Sequence, residues 1–185
     1  QDITADVFGE QRSVSLDGIC SSILLKNGYL LTAQHCVDIE SELPFGVILQ
    51  DQEFSISHNG QKYALEKIAV GGDVDAALFK LKEQADLPYV PFNFGDTDKV
   101  AEGNLVYLFG YTGLSDVNVR DGVIGVREDT YSASETSGGY FLISNGAGSG
   151  DSGGLVVGFR DGIPEILGVL CYGYHTHAGG TLKMN

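Results

Sequence analysis

Ile23-Leu24-Leu25-Lys26-Asn27-Gly28-Tyr29-Leu30-Leu31-Thr32 reads as two short apolar strands reversed at an Asn-Gly pair. Asn and Gly tolerate the positive φ of a tight hairpin turn, so this dipeptide between apolar runs predicts a β-hairpin. The pattern recurs outward along the chain. Asn59-Gly60 separates Phe54-Ser55-Ile56-Ser57-His58 from Lys62-Tyr63-Ala64-Leu65, and Asp161-Gly162 separates Leu155-Val156-Val157-Gly158-Phe159 from an apolar run over 163–170. Asp121-Gly122 is read as a further turn signal ahead of a strand over 123–126. No window holds a helical period, and only residues 32–39 have room for a turn or two. The expected fold class is all-β.

Composition agrees. The 185 residues are 43% hydrophobic and 19% charged, which excludes intrinsic disorder. Glycine reaches 26 without a period while proline stays at 4, a balance that suits many tight turns. The longest uncharged stretch, over 166–182, is broken by glycines and by His175 and His177, so it does not read as a membrane span. Gln1-Asp2-Ile3-Thr4-Ala5-Asp6 has neither a basic nor an apolar leader region, and a mature chain is expected.

Acidic residues outnumber basic ones 25 to 11, for a net charge of −14. Such a surface repels phosphate backbones and anionic lipid, so neither nucleic acid nor membrane is an expected partner. Three cysteines are too few for a disulfide scaffold; one pair and one leftover thiol is the natural division, and it points to an oxidising compartment.

Residues 83–98, with Pro88-Tyr89-Val90-Pro91, are the one stretch that looks like a connector. The expected organisation is 1–84, a connector at 85–98, and 99–185, each half supplying about six short strands. Two packed six-stranded antiparallel β-barrels fit this division better than one sandwich.

Three local signals carry chemistry. Leu31-Thr32-Ala33-Gln34-His35-Cys36 sets a histidine just after a strand, Asp73-Val74-Asp75-Ala76-Ala77-Leu78-Phe79 sets an aspartate at the head of one, and Gly148-Ser149-Gly150-Asp151-Ser152-Gly153-Gly154 sets a serine in a glycine-dense turn. A serine hydroxyl is a poor nucleophile alone. It needs a neutral imidazole to take its proton and a carboxylate to hold the imidazole's tautomer. A turn so rich in glycine can also aim successive backbone N–H groups at one developing oxyanion.

In these three boxes, in this order, the chain resembles the trypsin/chymotrypsin-like serine proteases, in particular the small bacterial-type members. The matching residues are Thr32-Ala33-Gln34-His35-Cys36, Asp75-Ala76-Ala77-Leu78 and Gly150-Asp151-Ser152-Gly153-Gly154, with Cys20 standing before the histidine strand as in the family. The resemblance implies a chymotrypsin-like pair of barrels and peptide hydrolysis through an acyl-enzyme. It implies Ser152 as nucleophile, His35 as general base and acid, Asp75 as orienting carboxylate, and the N–H groups of Gly150 and Ser152 as the oxyanion hole. It further implies a Cys20–Cys36 disulfide, no metal or organic cofactor, polypeptide substrates, room for protein inhibitors as partners, and a secreted, periplasmic or extracellular setting.

Asp73 competes for the role of Asp75, but choosing it would put Asp75 where the family strand takes a small apolar residue. Asp38, Glu40 and Glu42 read as a solvated loop, and His58 as a hairpin residue. His175 and His177 lack the cysteines or carboxylates of a metal site and read as pocket-rim or surface residues. Cys171 is expected as a buried free thiol making at most a weak hydrogen bond.

Three features depart from the family or set specificity. The family's activating Ile-Val-Gly-Gly start is missing, although Asp151, its partner, is present; an internal arginine is the alternative, with Arg127 as the candidate. The chain ends soon after the last expected strand, so the family's C-terminal helix is expected to be absent. The pocket position six residues before the nucleophile is Gly146, followed by Ala147. With Leu170, Cys171, Tyr172 and Gly173 on the wall strand, the pocket carries no charge and is expected to take neutral apolar or aromatic side chains. A Glu/Gln-selective protease, using His175 or His177, and a catalytically silent binding protein on the same fold are the alternatives.

Overall fold

The computed structural model describes residues 2–7, 10–15, 20–38, 47–71, 74–112, 116–126, 140–171, 173–175 and 182–184. Among the described residues the chain is built from strands and single 3-10 turns, and no helix is long and apolar enough to cross a membrane. The strands are β1 (Asp2–Val7), β2 (Glu10–Ser15), β3 (Ile23–Leu24), β4 (Tyr29–Thr32), β5 (Val47–His58), β6 (Gln61–Val70), β7 (Ala77–Leu81), β8 (Asn93–Phe94), β9 (Leu105–Gly110), β10 (Asn118–Val126), β11 (Leu142–Ile143), β12 (Leu155–Arg160), β13 (Ile163–Val169), β14 (Gly173–His175) and β15 (Leu182–Met184).

They form a seven-stranded sheet ordered β2-β1-β5-β6-β7-β4-β3 and a six-stranded sheet ordered β11-β10-β9-β12-β13-β8, with β14-β15 as a separate ribbon. The all-β expectation holds. The first sheet has seven strands instead of six because the opening residues pair with β5, and β8, from the connector, joins β13 in parallel.

Three of the four turn signals act as read. Asn27, Asn59 and Asp161 have φ of 67°, 51° and 51°, each followed by a glycine at positive φ. Asp121-Gly122 is no turn: both residues lie inside β10, opposite Tyr107 and Val106. The glycine there is required by tertiary contact, since a Cβ would collide with the Asn145 side chain. Asn145 is fully buried and donates to the carbonyls of Val106 and Arg120, tying β9 and β10 to the segment that leads to Ser152.

Alternation places the cores. In β7, Ala77, Phe79 and Leu81 face inward beneath Leu30, Phe54 and Leu65, with the Phe54 and Phe79 rings 4.9 Å apart. Val106, Leu108, Ile124 and Val156 anchor the second core. A third cluster joins Ile23 of the first sheet to Leu155, Val157 and Ile166 of the second, with Val90 and Phe92 of the connector packed against it. Burying each such side chain contributes about 1.5–3 kcal/mol. The apolar seam therefore fixes how the two sheets meet, and the chemistry-bearing residues lie along it.

Candidate active site

His35 sits on a 3-10 turn, Gln34–Cys36, that follows β4. The turn is clamped from both sides. Cys36 is bonded to Cys20 across 16 residues of sequence, and the buried Thr32 Oγ1 donates to the Ser21 carbonyl at 2.8 Å. In the chain-entropy picture, a disulfide closing a loop of this length contributes about 3 kcal/mol.

Asp75 precedes β7, which pairs with β4, so strand register brings it back to His35. It holds the histidine twice: Oδ2 lies 2.6 Å from Nδ1, and Oδ1 accepts the His35 backbone N–H at 2.9 Å. A carboxylate facing Nδ1 assigns the proton to that nitrogen and leaves Nε2 as the basic one. Burial pushes the Asp75 carboxyl up, but the hydrogen bonds from His35 and its charge outweigh this and hold it below the ordinary carboxylate value. Asp73 lies outside the described residues.

Beneath this pair lies Cys171, free and buried, with Sγ 3.3 Å from the Asp75 carbonyl and 3.3 Å from that of Val169. Burial, reinforced by the nearby Asp75 charge, pushes its thiol up to about 12. It is an uncharged packing group, as the sequence suggested.

The serine loop is held by Asp151, whose side chain is fully buried. Its Oδ2 accepts the Gly148 N–H at 2.7 Å, and its Oδ1 accepts from Thr112 Oγ1 at 3.2 Å. Its charge is met by Arg120 of β10, with Nη2 2.6 Å from Oδ2. That contact is a close charge pair; no guanidinium N–H points along the hydrogen-bond direction. Arg120 thus stands where Arg127 was expected, and Arg127 lies outside the described residues. Sheet order explains why: β10 and β12 flank β9, which brings Arg120 to the serine loop.

Within the loop the backbone amides divide. Asp151 N–H goes to the Gly148 carbonyl, Gly153 N–H to Leu170 and Gly154 N–H to Asp151. Among the described residues the N–H groups of Gly150 and Ser152 have no hydrogen-bond partner. Gly150 has φ 100°, a conformation open to glycine and strained for other residues. These are the two amides that the resemblance implies for an oxyanion hole.

The loop is sewn to the histidine side of the molecule. The Ser152 carbonyl accepts the Ser21 N–H at 2.7 Å, and a Cβ on Gly153 would run into the Ser21 carbonyl and the Thr32 hydroxyl. Gly153 and Gly154 also pair with Leu170, beside Cys171. Serine loop, histidine turn and aspartate therefore share neighbours, although Ser152 Oγ makes no hydrogen bond to His35 Nε2. That nitrogen faces Cys36 Sγ at 3.8 Å. Two sulfurs and an imidazole lie together there, but sulfurs joined in a disulfide are not thiolate ligands.

The pocket residues are less uniform than expected. Gly146 is exposed, with open space where a side chain would stand, and Ala147 packs on the second core. Leu170 is 3% exposed and belongs to that core, so it supports the wall without facing solvent; Cys171 is turned under Asp75. Gly173 opens β14, and His175 lies on the same strand opposite Leu182. Tyr172, His177, Glu40 and Glu42 lie outside the described residues, while Asp38 is exposed.

Residues 20–163 match the family model described as a trypsin-like peptidase domain. The chain belongs to the trypsin-like peptidase family. This is a family of serine-protease hydrolases, and solved structures agree on the fold. The HtrA-type protease AlgW with a tripeptide superposes with a TM-score of 0.69 at 17% identity, over 99% of this chain and 55% of that one. AlgW with a decapeptide gives 0.67 at 18% identity, over 97% and 50%. The MamO protease domain from Magnetospirillum magneticum, in its apo form, gives 0.63 at 16% identity, over 99% and 88%. This trypsin-like peptidase domain spans about half the length of the HtrA-type chains it matches. No curated protein matches it in sequence. The chymotrypsin-like fold expected from the sequence is the one shared with these structures.

Proposed function

We propose that this domain is a serine endopeptidase that cleaves polypeptides through an acyl-enzyme on Ser152. His35 Nε2 takes the proton from Ser152 Oγ as the oxygen bonds to the scissile carbonyl carbon. The imidazolium so formed is stabilised by Asp75, and the carbonyl oxygen, now anionic, is held by the N–H groups of Gly150 and Ser152. Collapse breaks the C–N bond, and the amine leaves with the proton from Nε2. Water then attacks the ester by the same path in reverse, releasing the carboxylic acid.

The observation that carries this reading is the pairing of a doubly held His35–Asp75 unit with two unpartnered amides on the adjoining serine loop. Ser152 Oγ and His35 Nε2 are not hydrogen-bonded in this structure, and such catalytic bonds commonly tighten when substrate binds.

Gly146 supports a pocket without charge, because a cationic side chain entering it would be desolvated with no partner. Neutral apolar or aromatic residues before the cut are the preference this favours. The disulfide that anchors the histidine turn supports a secreted or periplasmic setting, and the net charge of −14 supports polypeptides over nucleic acid or anionic lipid as partners.

The test is turnover of a peptide substrate by variants. Ser152→Ala and Asp75→Asn should each lose about 10⁴-fold in kcat or more with the fold intact, and Asp73→Asn should lose little. Crippling by Asp73→Asn with a mild Asp75→Asn would overturn the assignment.

A further inference from the structure

Ser21 belongs to none of the three sequence boxes, yet every polar group it has is used. It is 5% exposed. Its backbone binds the Ser152 carbonyl and the Thr32 hydroxyl, as described above. Its side chain does something separate: Oγ donates to the Gly150 carbonyl at 2.8 Å and accepts the Tyr111 N–H at 2.8 Å. One buried hydroxyl from the first sheet thus spans the serine loop and the residue after β9.

We infer that Ser21 Oγ is the positioning group that holds the oxyanion hole in its working conformation, an inference that rests on the reading of Ser152 as nucleophile. The argument turns on Gly150. Its carbonyl lies between the two peptide groups whose N–H bonds must converge on one point, and glycine leaves both of its backbone torsions soft. The Asp151 amide is tied to Gly148 and its side chain to Arg120, so the far side of the hinge is fixed. On the near side, the hydrogen bond from Ser21 is the one that holds the Gly150 carbonyl among the described residues. Tilting of this Gly150–Asp151 peptide would be passed through the soft Gly150 torsions to the preceding peptide, and so would swing the Gly150 N–H off the oxyanion.

Residue chemistry is demanding here. The site needs a donor toward the buried Gly150 carbonyl and an acceptor for the part-buried Tyr111 N–H. A hydroxyl offers both from one atom. Alanine offers neither, and it would leave the buried Gly150 carbonyl and the part-buried Tyr111 amide to find other partners by moving the loop. Ser21 itself has no place at the reacting atoms, so it acts through Gly150.

The test uses Ser21→Ala in the whole chain, which keeps the Ser21 backbone bonds and removes only Oγ. A fluorophosphonate probe titrates active sites, kcat and KM are measured per titrated site, and inhibition by a peptide boronate, whose tetrahedral adduct fills the oxyanion hole, is measured in parallel. We expect kcat to fall about 10- to 100-fold, KM to stay within about twofold, and boronate affinity to weaken by about the same factor as kcat. Partial unfolding weakens apparent boronate affinity only by the folded fraction, so that fraction is measured by urea denaturation under assay conditions, and only a loss beyond it counts. Should the alanine variant fail to fold, Ser21→Gly is read by the same criteria. Wild-type kcat and boronate affinity in the variant would overturn the role of Ser21 and leave the proposed function standing, and so would a lower kcat with unchanged boronate affinity. A wild-type chain that takes up no probe would instead overturn the proposed function, and this inference with it.

Discussion

Arg120 Nη2 lies 2.6 Å from Oδ2 of Asp151, a residue with no exposed surface. One pair of charges from strands β10 and the serine loop thus supplies a cation inside the fold, where zymogen-type relatives use a freed N-terminus. The consequence is a serine loop held by the chain's own folding.

Removing the cation should therefore unfold more than a salt bridge. Arg120→Gln leaves a carboxylate buried without its partner, which costs about 3–5 kcal/mol of stability. Urea denaturation checks this, with activity expected to fall alongside as the loop loosens. Arg120→Lys, which keeps the charge, should recover part of both; a glutamine variant as stable as the wild type would contradict the pairing.

Stability should also fall in acid through Asp75. Its folded carboxyl titrates below the ordinary value of 3.8, so its contribution is fully present above that value and is lost as pH drops beneath it toward the folded value. Comparing urea midpoints between about pH 6 and pH 3 should show a steeper loss in the wild type than in Asp75→Asn. Parallel curves would contradict it.

Cys171 should resist alkylation. With its thiol pushed up to about 12 by burial and by Asp75, almost none is thiolate near neutrality. Native protein should leave it unmodified by iodoacetamide, and unfolding without reductant should expose one reactive thiol, the other two cysteines being joined. Rapid labelling of the native chain, or a disulfide mapped to Cys171, would contradict this.

A peptide library varied only at the residue before the cut should give cleavage after Leu, Met, Phe or Tyr, since Gly146 leaves open and uncharged space. Strict cleavage after Glu would overturn the neutral pocket and bring His175 or His177 into it.

Much of this was legible locally. The Asn27, Asn59 and Asp161 turns follow from backbone chemistry within a few residues, and so do the boxes around His35, Asp75 and Ser152. What escaped depends on sheet order. Asp121-Gly122 looks like a turn because its glycine is set by Asn145, more than twenty residues away. Arg120 could have been narrowed down, since a buried Asp151 needs a cation and the second half of the chain has three arginines, Arg120, Arg127 and Arg160, beside Lys99 and Lys183; choosing among them requires knowing that β10 lies one strand from β12. Ser21 carries no motif at all, and its role emerges only where the two sheets meet. Leu170 was read from the family's wall strand, but its side chain is drawn into the core by Leu108 and Val156.

The most direct measurement is covalent. Incubating the native chain with a fluorophosphonate probe and mapping the adduct by peptide mass spectrometry asks whether Ser152 is an activated nucleophile. The account predicts one adduct per chain, on Ser152, abolished in Ser152→Ala and strongly slowed in His35→Ala. No adduct on an otherwise folded chain, or an adduct on another serine, would contradict it.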